Sequence, residues 1–80
     1  MITCSEIKNA FLKKNMANEE FAKEIEDVTE RLYESVMTKA EYTIHVRYKV
    51  EKAKKIAYAL KILGFSVEEY RHGKLHIKAV

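Results

Sequence analysis

Apolar positions along this chain change period three times, and each change marks a new element. Phe21, Ile25, Val28, Leu32 and Val36 recur at steps of four, three, four and four, the stripe of a long amphipathic helix reaching about Thr38. Tyr42, Ile44, Val46 and Tyr48 then alternate with Thr43, His45 and Arg47, a period of two that predicts a half-buried strand. Helical spacing returns in Ala53, Ile56, Ala57, Leu60 and Leu63 and stops at Gly64. Phe65 and Val67 restart the alternation, and Leu75, Ile77 and Ala79 carry it back beyond Gly73. On this parity the apolar side chains from Tyr42 through Ala79 all point inward.

Local signals sharpen the boundaries. Thr3 and Glu6 have capping-box spacing, so a first helix begins near Ser5, with Ile7, Ala10 and Phe11 as its apolar stripe. The pattern breaks around 15–18, where Asn18 before Glu19 and Glu20 suits a new helix start; one helix or two stays open. Gly64 suits a left-handed cap, with Phe65 beyond it reaching back to Leu60. In the hairpin, a three-residue loop of Arg71, His72 and Gly73 pairs Val67 with Ile77 and Phe65 with Ala79, keeping apolar residues together. A two-residue loop would put Glu68 on the face of Ile77. Gly73 then takes the left-handed position of a type I turn plus bulge. Placing the third strand in the middle gives it antiparallel contacts on both sides.

These elements predict an α+β fold: a long N-terminal helical region, then β-α-β-β, with a three-stranded sheet covered on one face by helices. Eighty residues make a single domain spanning 1–80, its residues 1–40 an acidic helical region and 41–80 a basic β-α-β-β unit. A core of this size gives roughly 3–5 kcal/mol at best, which favours a homo-oligomer. Tyr33 and Met37 widen the apolar surface beside Val36 and point the same way. Fewer than three clean heptads argue against a coiled coil.

Net charge is +3, unevenly spread: residues 1–41 hold six Lys/Arg against nine Asp/Glu, residues 42–80 nine against three. Either an acidic helix covers a basic sheet, in the same subunit or a neighbour, or the basic half meets an anion. With apolar residues inward, the opposite sheet face carries Thr43, His45, Arg47, Ser66, Glu68, Tyr70, Lys74, His76 and Lys78. A polar face on an antiparallel sheet needs no function. Yet His45, Arg47, Tyr70, Lys74, His76 and Lys78 are mostly donors or cations with a ring among them. They are the candidate ligand-binding set, for a phosphate, a nucleobase or another subunit.

Other chemistries find little purchase. His45, His72 and His76 lack a Cys or carboxylate at metal-ligand spacing, so no metal is expected. Cys4, the single cysteine, has no evident base, and two glycines cannot cradle a phosphate; no cofactor and no enzyme activity are expected. A helix-turn-helix would have to use the acidic 18–36 helix, so any nucleic-acid contact belongs to the sheet or the Lys-rich helix of about 50–63. No apolar run approaches the roughly 20 residues that span a bilayer, and the opening residues are unlike a signal peptide. With a lone cysteine this predicts a cytoplasmic protein without membrane contact.

The order helix, strand, helix, hairpin resembles a group of very small proteins encoded by phages of Gram-positive bacteria. The charged N-terminal helix with Ile25, Val28 and Leu32 carries the resemblance. So do the strand Tyr42-Thr43-Ile44-His45-Val46 and the run Leu60-Lys61-Ile62-Leu63-Gly64-Phe65-Ser66-Val67 leading into the hairpin. The resemblance implies a small accessory protein of the bacterial host cell that blunts a defence by binding a signal nucleotide or a host protein. Nucleic-acid binding through the basic sheet, and a purely structural oligomer, are the alternatives.

Overall fold

The computed structural model describes residues 1–79. The order is α1 (Cys4–Met16), α2 (Glu19–Lys39), β1 (Thr43–Arg47), α3 (Val50–Ile62), β2 (Ser66–Glu69), a 3₁₀ turn (Arg71–Gly73) and β3 (Lys74–Lys78). The N-terminal region is therefore two helices, each started by the side chain its spacing predicts. The Glu6 amide donates to the Thr3 hydroxyl oxygen (3.1 Å), and the Phe21 amide donates to Asn18 Oδ1 (3.2 Å). No helix among the described residues is long and apolar enough to cross a membrane.

Sheet order is β1-β3-β2, with both pairings antiparallel. Ile44 faces Ile77 and Val46 faces Leu75 on one side of β3; Val67 faces Ile77 on the other, the register of a three-residue loop. Burial alternates along β1 and β3, and the inward residues meet the helices. Phe21, Ile25, Val28 and Leu32 of α2 and Ala53, Ile56, Ala57, Ala59 and Leu60 of α3 complete one core with Ile44, Val46, Val67, Leu75 and Ile77. α1 contributes no buried residue; Phe11 and Leu12 pack partly buried against the core, and the Phe11 ring meets Tyr58 edge-on at 4.7 Å. Lys52 of α3 pairs with Glu24 and Glu20 of α2, so the acidic helix does lie against the basic unit of its own chain.

Two expectations need correction. Inward parity does not bury every apolar residue: Tyr42 is 56% exposed and Ala79 is exposed because both lie beyond the last paired rung, and Leu63 is exposed at the C-cap of α3. The hairpin turn is also not type I. His72 (φ 60°, ψ 34°) and Gly73 (φ 75°) are both left-handed, and the Lys74 amide donates to the Arg71 carbonyl, as in a type I′ turn. Gly73 is needed there for a second reason. A Cβ on it would lie 1.8 Å from the Tyr48 carbonyl oxygen, since the Tyr48 amide donates to the Gly73 carbonyl (3.0 Å) and locks the tip onto the exit of β1.

The cap of α3 forms as its residues predict. The Phe65 amide donates to the Leu60 carbonyl (3.0 Å) and the Gly64 amide to Lys61 (3.1 Å) around a left-handed Gly64. α2 ends differently, on left-handed Ala40 (φ 54°), where no glycine gives warning.

Candidate anion-binding face

Strand parity sends Thr43, His45 and Arg47 of β1, Lys74, His76 and Lys78 of β3, and Ser66 and Glu68 of β2 to the sheet face away from the helices. The six candidates thus share one surface, Tyr70 joining from the end of β2. Register then sorts them into three groups.

The first is a row of rings. His45 and His76 are direct cross-strand partners, with centroids 3.9 Å apart and planes within 7° of parallel. On the other side of His76 the Tyr70 ring lies at 4.2 Å, tilted by 42°. His76 is thereby sandwiched, and rings stacked across strands stand on edge, offering nitrogen rims rather than faces. A nucleobase therefore finds no free face on His76, and Tyr70 keeps its outer side for stacking. Parallel imidazoles keep their lone pairs in two separate parallel planes, which does not suit one shared ion. Among the described residues no group of three or more His, Cys, Asp or Glu is placed to hold a metal. Nε2 of His76 is buried without a hydrogen-bond partner. Burial first, then the nearby His45 and Lys74, hold this imidazole below its ordinary value and favour its neutral form.

The second group is a neutralised one. Glu68, which sequence reasoning placed on the face but left out of the candidate set, faces His76 across β2–β3. Its carboxylate accepts the Tyr70 hydroxyl (2.8 Å) and pairs with Lys78 (3.4 Å). The Tyr70 hydrogen bond, then Lys78, lower the Glu68 pKa, while the Glu68 contact raises that of the Tyr70 phenol. The charge of Lys78 is therefore partly compensated within the chain.

The third group lacks a counter-charge. Arg47 and Lys74 are direct cross-strand partners, and among the described residues neither joins an ion pair. Like charges directly opposed cost roughly 0.2–1 kcal/mol. The same end of the sheet brings the Arg71–Gly73 turn against the backbone of Tyr48 and Lys49, so Lys49, Arg71 and His72 belong to segments that meet beside this pair. Positive charge is concentrated at the Arg47–Lys74 end and diluted at the Lys78 end. Cross-strand register, which no single strand reveals, is the signal that separates them.

Comparison with known proteins adds no assignment: no protein-family model, no curated protein and no solved structure matches the chain.

Proposed function

We propose that the protein is a non-catalytic binding module that captures an anionic ligand at the Arg47–Lys74 end of its polar sheet face. One observation carries the reading. Two cations are held opposite one another without a counter-charge, beside a rim of imidazole and phenol groups that can donate or accept hydrogen bonds. A phosphate or carboxylate relieves that repulsion and gains charge-assisted hydrogen bonds. A nucleotide signal or an acidic patch on a host protein has this chemistry, which accords with the accessory role that the resemblance to small phage-encoded proteins implies. Self-association belongs to the same proposal, because the core is small and Tyr33 and Met37 remain exposed.

Amide chemical shifts tested with inorganic phosphate, a nucleoside triphosphate and a single-stranded oligonucleotide separate the possibilities. Shifts at Arg47, Lys74 and His76 are expected with the nucleotide. Arg47→Ala with Lys74→Ala should weaken binding by about 10- to 100-fold, the scale of one or two charged hydrogen bonds. Lys78→Ala should do much less, its charge being shared with Glu68. A tight oligonucleotide complex whose affinity falls steeply with salt would instead mark a nucleic-acid binder. Silence with all three probes rejects an anion site.

A further inference from the structure

The outer edge of β1 is open, and its pattern describes what closes it. Tyr42 accepts from the Ala79 amide (3.0 Å) and Tyr48 donates to Gly73 (3.0 Å), so even-numbered residues of this strand turn their peptide groups to β3. Thr43, His45 and Arg47 therefore aim theirs away from the sheet. Among the described residues no backbone bond from these three reaches another segment. The strand has no proline, no glycine, no bulge and no central lysine, and its one charge is the terminal Arg47. The opposite edge, β2, is only Ser66–Glu69 and carries two glutamates. Beside the open edge a groove of ≈ 910 Å³ separates β1 from α2, lined from Asp27 to Lys39 on the helix side and by Thr43, Ile44 and His45 on the strand side.

We propose that this edge pairs with the β1 edge of a second copy, antiparallel across a two-fold axis at His45, to make one six-stranded sheet. This rests on self-association as proposed above and adds its surface. Only odd residues have outward peptide groups, so an odd residue must face an odd one. Centring on His45 sets Val46 opposite the partner's Ile44 and Tyr48 opposite the partner's Tyr42, each twice; Lys49 and the partner's Glu41 then meet through their side chains alone, because the Glu41 amide and carbonyl are held by Ser35 and the Lys49 carbonyl accepts from Ala53. Apolar residues meet apolar residues, exposed Tyr42 finds cover, and the flanking charges are opposite in sign. Neither Glu41 nor Lys49 has an ion-pair partner among the described residues, and Lys49 is already extended (φ −60°, ψ 145°). Sliding the register by two residues spoils the match. One way Tyr48 leaves Tyr42 for left-handed Ala40, although Glu41 then meets the partner's Arg47; the other way Tyr42 reaches Val50, already inside α3.

A residue on the axis gives a direct test. Hydrogen-bonded antiparallel partners have Cα atoms about 5.5 Å apart, inside the range a disulfide spans. In a Cys4→Ser background, His45→Cys should give a covalent dimer on mild oxidation. Light scattering of the unmodified protein should report twice the 9.4 kDa chain. Glu41→Lys and Lys49→Glu should each raise the dimer dissociation constant by roughly tenfold, two cross-strand attractions having become repulsions. The double exchange should restore it, and circular dichroism should report folded protein throughout, both positions being exposed. A monomer at high concentration overturns this interface together with self-association. A dimer that His45→Cys does not cross-link overturns the edge alone. So does a dimer that ignores Glu41→Lys yet dissociates on Tyr33→Glu with Met37→Glu.

Discussion

At the scale of single residues, three left-handed positions carry different costs. Gly64 (φ 102°) has open space where a Cβ would go, so Gly64→Ala should lose only backbone strain less the unfolded-state freedom of glycine, a net of roughly 0.5–1 kcal/mol. Gly73 has the Tyr48 carbonyl in that place, so Gly73→Ala must also move the tip off β1 and should lose at least about 1 kcal/mol more. Urea midpoints of the two variants measure the difference, and equal losses would mean that the Tyr48–Gly73 latch is slack. Ala40 is the reverse case. Its left-handed strain, about 1–2 kcal/mol, is offset by the extra unfolded-state freedom of glycine, about 0.4–1 kcal/mol. Ala40→Gly should therefore raise stability by roughly 0.5–1 kcal/mol with an unchanged denaturant slope. Nothing in a lone alanine announces that cap, whereas Gly64 followed by Phe65 announces its own.

At the scale of the elements, what was legible was one-dimensional. The stripe from Phe21 to Leu32, the alternation of β1 and the Val67–Ile77 pairing follow from periods alone, because burial on one face imposes them. The composition of the polar face was legible for the same reason. Its internal arrangement was not, since His45 against His76 and Arg47 against Lys74 depend on β3 lying between strands distant in the chain. That arrangement has a pH signature. Because His76 is held below its ordinary value, the unfolded chain binds the proton more readily, and stability should decline as pH falls below about 6.5 and be intact above it. The groups facing His76 are His45, Lys74, Lys78, Tyr70 and Glu68. The loss tied to Glu68, whose folded value is lowered from 4.5, sets in at more acid pH, so the two windows separate. Urea midpoints between pH 8 and 5 should fall for the native protein and flatten in His76→Gln; a flat native profile would show that the ring stack tolerates a charge.

At the scale of the whole molecule, one core answers for everything. Leu60 is fully buried between α3 and the sheet, and Leu60→Ala should cost about 2–5 kcal/mol, comparable with the entire stability of a domain this small. Loss of cooperative thermal melting is the expected outcome. α1 lies at the other extreme: residues 1–10 are all exposed, so amides in its first turns should exchange rapidly while those of α3 stay protected. The sheet order adds a kinetic consequence. With β3 seated between the other two, β1 and β2 are never neighbours, and β1 has nothing to bond to until the hairpin beyond α3 exists. The hairpin, closed by a short turn, is thus the natural nucleus, and the first strand zips onto it last, fastened at Gly73 by Tyr48. Weakening the fastener should accelerate unfolding and leave the refolding rate nearly untouched.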